Sequence, residues 1–130
     1  MVHPFSAASR AKLDSVDPRL RGIIERAADR WDITVIEGHR SPRRQQQLFM
    51  AGKSKVKRGK HNEKPSLAID IAPYPIDWED AERFRRLAEY VLGIANVMGV
   101  PLRWGGDWDG DTDLTDQTFN DLVHFEITEG

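Results

Sequence analysis

Apolar residues recur at helical spacing in three stretches of the chain. Residues 17–30 and 77–98 carry apolar side chains at three- and four-residue steps, so each stretch predicts an amphipathic helix. We expect Asp77 to cap the longer helix. Residues 41–52 predict a third helix, with Ser41 as its N-cap.

Short apolar runs between these stretches predict four strands. They cover residues 33–36, 67–72, 102–104 and 122–127. In the last run Val123, Phe125 and Ile127 alternate with His124 and Glu126, as in a strand with one buried face. The order of elements predicts an α+β fold in which a small antiparallel sheet is flanked by helices.

The composition is that of one folded domain. Of the 130 residues 39% are hydrophobic and 31% are charged, which excludes disorder as the main state. The 19 basic and 21 acidic residues give a net charge of −2, which argues against a protein that coats nucleic acid. We expect neither a secretory signal peptide nor a membrane span, because no apolar segment is long enough for either.

Asp70 is the most unusual residue of the predicted strands. It interrupts an apolar run, where an unpaired buried carboxylate would be costly. Strand alternation places it between Ala68 and Ala72, on a face with room for a ligand. An ion pair with an arginine, for which Arg40 is the natural partner, would also compensate the charge.

Two histidines could meet this aspartate. His61 lies nine residues before Asp70, and His124 lies on the last predicted strand. The chain has no cysteine, so a metal must be held by His, Asp or Glu. Two imidazoles, a carboxylate and a fourth position for water form the usual catalytic zinc site. Each histidine alone also fits a surface or hydrogen-bonded imidazole, and His3 and His39 are not assigned to the metal.

Two other residues could act beside a metal. Asp121 precedes His124 by three residues, where a general base could move the proton of an acidified water to the leaving amine. An ordinary turn residue is the alternative. Arg40 follows a predicted strand and could hold a carboxylate or stabilise an oxyanion. A surface arginine near a helix start is the alternative there.

Two long loops carry charge of opposite sign. The acidic residues that alternate along residues 105–116 are Asp107, Asp109, Asp111 and Asp113. They form a candidate Ca²⁺ loop, although Thr112 and Thr118 stand where an EF-hand needs glycine and glutamate. The basic residues of the other loop are Lys53, Lys55, Lys57, Arg58 and Lys60. They lack interleaved aromatic residues, so an anionic cell wall or a solvated loop explains them as well as nucleic acid does.

Together these motifs resemble the LAS family of zinc peptidases. The resemblance is carried by His61 with Pro65-Ser66-Leu67-Ala68-Ile69-Asp70-Ile71-Ala72-Pro73-Tyr74, and by Asp121-Leu122-Val123-His124-Phe125-Glu126. That family includes VanY-type D-alanyl-D-alanine carboxypeptidases and phage L-alanyl-D-glutamate endolysins. Residues 35–41 and 103–108 are similar to the endolysin branch, and the resemblance extends over residues 13–127.

The resemblance implies a LAS/hedgehog-type zinc peptidase fold and a set of roles. The zinc ligands that it implies are His61, Asp70 and His124, which would hold one catalytic Zn²⁺. It also implies that Asp121 is the catalytic base and that Arg40 binds substrate and stabilises the tetrahedral intermediate. Many members place the first histidine seven residues before the aspartate, with a glycine between them, whereas the gap here is nine. The base is Asp where many carboxypeptidases have Glu, which favours the endolysin branch.

The implied function is a zinc-dependent endopeptidase that cleaves the L-alanyl-D-glutamate bond of the peptidoglycan stem peptide during phage lysis of the host. We expect one catalytic domain over residues 1–130, with no separate wall-binding module, and a monomer that neither binds nucleic acid nor inserts into a membrane. It would stay in the host cytoplasm until a holin opens the way to the periplasm. The alternatives are a D-alanyl-D-alanine carboxypeptidase and a non-catalytic wall-binding module of the same fold.

Overall fold

A computed structural model describes residues 4–52, 60–107 and 122–128. In this part of the chain the helices are α1 (Ala7–Leu13), α2 (Pro18–Ala27), α3 (Pro42–Met50) and α4 (Ala81–Met98). The strands are β1 (Ile33–Glu37), β2 (Ala68–Pro73), β3 (Leu102–Trp104) and β4 (His124–Ile127). Two short 3₁₀ helices cover Lys60–Asn62 and Gly105–Asp107. None of the helices in the described ranges has both the length and the apolar character needed to cross a membrane.

The four strands form one antiparallel sheet in the order β1-β2-β4-β3. This arrangement confirms the predicted α+β fold with a small antiparallel sheet. Between Val35 and Glu37 the register of β1 shifts, so Glu37 instead of Ile36 lies opposite Asp70. A bulge of this kind redirects a side chain locally, and here it brings a carboxylate beside Asp70.

Helix α4 lies against strands β2 and β3 of the sheet, and α2 packs against α4. The core contains Phe84, Leu87 and Val91 of α4, and Ile69 and Ile71 of β2, all nearly inaccessible to solvent. Burying a side chain of this size contributes about 1.5–3 kcal/mol. The packed face therefore fixes the sheet, and alternation directs Asp70 to the other face.

The start of α4 differs from the prediction. Asp80 is the N-cap, and its side chain accepts a hydrogen bond from the backbone N–H of Arg83. Asp77 instead accepts from the backbone N–H of Glu79 at 3.0 Å. Both aspartates satisfy a backbone donor two or three residues ahead, and such short-range bonds serve a turn as well as a helix cap. The turn formed by Asp77 delays the helix to Ala81.

Helix α1 was not among the predicted elements. It has seven residues, and Leu13 is its one buried large apolar side chain. A helix this short has marginal stability by itself, so tertiary contacts must stabilise it. Ser6 caps its first turn, and the Ser9 hydroxyl accepts from the backbone N–H of Val35 in β1.

Other boundaries follow the sequence more closely. Ser41 caps α3 as predicted, with its hydroxyl accepting from the backbone N–H of Arg44 at 3.1 Å. Strand β4 begins two residues later than predicted, because Leu122 and Val123 have helical geometry. The indole N–H of Trp104 donates to the carbonyl of Leu122 at 2.8 Å, which fixes the approach to His124.

Candidate metal centre

Asp70 and His124 face each other across the two central strands. The antiparallel register of β2 and β4 pairs these two residues directly. Oδ1 of Asp70 lies 3.0 Å from Nδ1 of His124. Asp70 is only 9% exposed, so the carboxylate is held away from most of the solvent. The sheet by itself therefore positions two of the three groups.

His61 reaches the same point from the first 3₁₀ helix. Its Nε2 lies 3.1 Å from Oδ1 of Asp70 and 3.2 Å from Nδ1 of His124. On the other side of the ring, Nδ1 lies 2.7 Å from the carbonyl oxygen of Gly38. The structure thus brings together the three residues that the sequence singled out as metal ligands, and the nine-residue gap between His61 and Asp70 does not prevent it.

The hydrogen bonds behind the two histidines select their tautomers. A carbonyl oxygen can only accept, so Nδ1 of His61 is the protonated nitrogen that donates to Gly38. Nε2 of His124 lies 3.0 Å from Oε1 of Glu126, and an ionised carboxylate likewise only accepts. Neutral imidazoles held in this way turn unprotonated nitrogens toward Asp70.

Three electron-pair donors therefore converge on one point. In the neutral-imidazole state no proton lies between them, and their mutual approach is favourable only around a cation. Their separations of 3.0–3.2 Å are close to the roughly 3.3 Å edge of a tetrahedron with ligands at about 2.0 Å. The three residues form a group that could bind a metal ion, and two imidazoles with one carboxylate suit zinc.

In the metal-free protein the same arrangement attracts a proton. Burial lowers the pKa of His124, but hydrogen bonds to Asp70 and Glu126 outweigh it and raise the pKa to about 9. Burial raises the pKa of Asp70, but hydrogen bonds with His124 and His61 outweigh it and hold the pKa well below its usual range. The surroundings therefore stabilise positive charge at this point.

Arg40 lies beside the acidic ligand in a fixed orientation. Its Nε and Nη2 donate to the two carboxylate oxygens of Glu37 at 2.9 and 2.6 Å, and its Nη1 donates to Oε1 of Gln45 at 2.7 Å. Nη2 also lies 3.7 Å from Oδ2 of Asp70, an ion pair longer than a hydrogen bond. Asp70 therefore makes both of the interactions that the sequence suggested. Its Oδ2 faces Arg40 in an ion pair, and its Oδ1 faces the two histidines.

The segment that carries Arg40 is bonded directly to the segment that carries His61. The backbone N–H of Arg40 donates to the carbonyl of His61 at 2.7 Å. The side-chain amide of Asn62 donates to the carbonyl of Arg40, also at 2.7 Å. Asn62 is 4% exposed, so these bonds form out of solvent. A displacement of one segment therefore moves the other.

Four residues at this centre were not assigned a role from the sequence: Glu37, Gln45, Asn62 and Glu126. Glu126 had a usable signal, because it follows His124 by two residues in a strand and so shares its face. Gln45 had none, since it stands among polar residues of α3 and only the fold shows it to be 1% exposed. The role of Glu37 depends on the bulge in β1, which the hydrophobic pattern does not encode.

Several predicted residues lie outside the described part of the chain. Asp121, the predicted base, is one of them, and it directly precedes Leu122. Of the candidate Ca²⁺ loop, Asp107 ends the second 3₁₀ helix, whereas Asp109, Asp111 and Asp113 are not described.

The remaining basic and histidine residues can be located in part. Within the described ranges, Lys60 is the member of the basic run that can be placed, and its Nζ lies 3.6 Å from Oε2 of Glu126. Nδ1 of His39 lies 3.0 Å from the carbonyl oxygen of Glu63. His39 does not belong to the candidate metal site of His61, Asp70 and His124.

An antiparallel sheet that brings two histidines, an aspartate and an adjacent arginine together offers the type of ligand set that zinc hydrolases use. The sequence profile of the phage L-alanyl-D-glutamate peptidases matches residues 1–128, and the chain belongs to this family. It is 31% identical over 125 residues to the L-alanyl-D-glutamate peptidase of Escherichia phage T5, covering 90% of each chain.

A solved structure supports the same assignment. The L-Ala D-Glu endopeptidase ChiX of Serratia marcescens superposes with a TM-score of 0.78 at 29% sequence identity. The match covers 97% of this chain and 91% of ChiX. It confirms the predicted LAS-type fold.

Proposed function

We propose that the protein is a zinc-dependent peptidoglycan endopeptidase that cleaves the L-alanyl-D-glutamate bond of the stem peptide during phage lysis. The observation that carries this proposal is the convergence of His61, Asp70 and His124, in which one nitrogen of each imidazole is directed at the same carboxylate oxygen. Membership of the family and the activities of its relatives support the identity of the bond that is cut.

The chain's own residues take distinct parts in the reaction. Zinc bound by the three ligands would polarise the scissile carbonyl and acidify a water molecule. Arg40, fixed by Glu37 and Gln45, would stabilise the negative charge that develops on the carbonyl oxygen, because its orientation is set before the reaction begins. Asp121 would accept the proton of the attacking water and pass it to the leaving amine of D-glutamate.

The phage relative supports a role at the host cell wall. The enzyme would act as a monomer on the host cell wall, reaching the periplasm from the cytoplasm with the help of a holin. Its substrate is the peptidoglycan stem peptide. We expect no binding to nucleic acid.

The test is mass spectrometry of purified peptidoglycan incubated with the protein. We expect fragments with a new free amine on D-glutamate, and we expect 1,10-phenanthroline to abolish them and added Zn²⁺ to restore them. Asp121→Asn should retain zinc and lose cleavage, because it removes the base and no ligand. Zinc-loaded samples with and without added Ca²⁺ test whether the acidic loop requires calcium.

Other results would contradict the proposal. Release of terminal D-alanine alone would identify a carboxypeptidase. Unchanged peptidoglycan in the presence of one bound zinc per chain would leave the wall-binding module as the better interpretation.

A further inference from the structure

Glu126 is a buried acidic residue on β4, the strand that also carries the candidate metal ligand His124. It lies opposite Ala68 in β2 and Arg103 in β3, and it is 9% exposed. A carboxylate in such a position needs partners, since burying it unpaired is costly. The structure provides three of them.

The two carboxylate oxygens of Glu126 contact different partners. Oε2 lies 3.0 Å from Nη2 of Arg103 and 3.6 Å from Nζ of Lys60. Oε1 lies 3.0 Å from Nε2 of His124. Two cations from separate segments thus orient the carboxylate through one oxygen, which leaves the other directed at the imidazole.

Lys60 also connects this carboxylate to the other histidine. It is the residue before His61, and its ammonium group donates to the backbone carbonyl of Ile127 in β4. The segment that carries His61 is therefore attached to the strand that carries His124. Through Lys60, Glu126 contributes to the placement of both imidazoles.

Glu126 occupies the wrong side of the ring for acid–base chemistry on a substrate. It contacts Nε2, whereas Nδ1 of the same ring faces Asp70. A group behind a ligand acts on that ligand, by fixing the rotation of the ring and its tautomer. Gly38 does the same for His61 with a backbone carbonyl, which a side-chain substitution cannot remove.

We propose that Glu126 is the positioning residue of the metal centre: held by Arg103 and Lys60, it accepts the Nε2 proton of His124 and so presents Nδ1 to the metal. The inference rests on the proposed function only in that a metal binds at this centre. It predicts that loss of the carboxylate weakens metal binding even though no ligand is removed.

The test compares Zn²⁺ affinity of the full chain and its variants by competition with a chromophoric chelator. We expect Glu126→Gln to bind Zn²⁺ about 10-fold more weakly and Glu126→Ala about 100-fold more weakly, the range typical of partners behind a ligand. The matched control is Glu63→Gln, which removes the same charge from an exposed side chain near His61. It should stay within about twofold of the original chain.

A spectroscopic measurement makes the test independent of any folding defect. In the ¹⁵N spectrum of the zinc-loaded original chain, His124 should show a metal-bound Nδ1 and a protonated Nε2. The Co²⁺-loaded Glu126→Gln variant should show a changed d–d absorption, whereas Glu63→Gln should not.

Two outcomes would overturn the inference: coordination of His124 through Nε2, or Zn²⁺ affinity of both Glu126 variants equal to that of Glu63→Gln. Neither depends on peptidoglycan cleavage. An inactive enzyme with the predicted His124 tautomer would contradict the proposed substrate and leave the role of Glu126 in place.

Discussion

The two histidines of the centre reach one point through different kinds of structure. His124 lies on a regular strand, paired with Asp70 by sheet register and oriented by the side chain of Glu126. His61 lies in a short 3₁₀ helix and is oriented by the backbone carbonyl of Gly38. We call His124 with Glu126 the strand half of the centre, and His61 with Gly38, Arg40 and Asn62 the loop half. The strand half depends on the carboxylate of Glu126, and the loop half depends on a network of backbone contacts.

This difference determines how each half can fail. A strand resists distortion because its ladder and its core face fix it. A loop holds its shape only through local bonds, and those around His61 involve Gly38, Arg40 and Asn62. Substitutions should therefore disturb the loop half through packing and the strand half through charge.

The largest effect should come from Asp70→Asn, which removes the carboxylate that both halves share. We expect Zn²⁺ affinity to fall by more than about 100-fold, beyond the loss typical of groups behind the ligands, and cleavage to disappear. Competition titration with a chelator measures it. Asp77→Asn, in a turn before α4, is the control and should bind normally. Affinity of Asp70→Asn within tenfold of the original would show that Asp70 is not a ligand.

The pH dependence of metal binding should report on the strand half. The pKa of His124 is raised from 6.5 to about 9 in the metal-free protein, so Zn²⁺ must displace a proton at neutral pH. Affinity should rise about tenfold per pH unit between pH 6 and 8, the slope expected for one proton released per Zn²⁺ bound. Calorimetry in buffers of different ionisation enthalpy would detect the released proton. An affinity independent of pH would contradict the raised pKa.

The same shift has an opposite consequence for stability without metal. Because the folded-state pKa of His124 lies above 6.5, its protonation stabilises the fold fully below that pH. The contribution then declines as the pH rises toward about 9. Chelated protein should therefore lose stability over the pH range in which its affinity for Zn²⁺ increases. Denaturant midpoints at pH 6 and 9 measure this, and equal midpoints would argue against it.

Gly38→Ala should break the loop half alone. An added Cβ would lie 2.2 Å from the carbonyl oxygen of Lys12 and 2.4 Å from the hydroxyl of Ser15, so the backbone that orients His61 must move. We expect about 1–3 kcal/mol of destabilisation and roughly tenfold weaker Zn²⁺ binding. Denaturant midpoints and zinc titration measure the two effects.

Gly93→Ala is the matched control for that substitution. Gly93 lies inside α4, and a Cβ there meets nothing within 4 Å. Alanine should stabilise this helix by about 0.4–1 kcal/mol. If both variants behaved alike, steric crowding at Gly38 would not be the reason for its effect.

The smallest effect should come from Asn62→Ala, which loosens the link between the arginine and histidine segments. Loss of the bond to the Arg40 carbonyl should cost about 1–2 kcal/mol, because a buried acceptor loses its donor. We expect kcat/KM to fall more than Zn²⁺ affinity, since Arg40 moves and the ligands stay. Asn96→Ala, on the exposed face of α4, is the control. A larger loss of Zn²⁺ affinity than in Gly38→Ala would contradict this ranking.

Much of the fold was predictable because it depends on periodicity and on local caps. The strands at residues 33–36 and 102–104 and the cap at Ser41 agree with the structure to within a residue. Helix α1 was missed, since its stability depends on contacts with β1 that its own residues do not reveal. Asp77 and Asp80 are both suitable caps, and only the turn between them decides which one begins α4.

The sequence by itself indicated which groups could bind a metal. With no cysteine in the chain, the family motifs and the position of Asp70 in an apolar strand singled out His61, Asp70 and His124. Those signals are local, because they depend on residue type and on spacing within one segment. They state which donors are present and leave their arrangement open.

Only the tertiary structure decided how these donors are held. The register shift in β1 and the contacts of Glu126 with Arg103 and Lys60 join residues that are far apart in the chain, and the burial of Gln45 likewise depends on the fold. The tautomer of His61 follows from such a contact, with the carbonyl of Gly38. That of His124 follows from its neighbour Glu126, whose carboxylate is oriented by Arg103 and Lys60 from other segments. A hydrogen bond between distant segments depends on the packing of the whole sheet, so no single segment of the sequence specifies it.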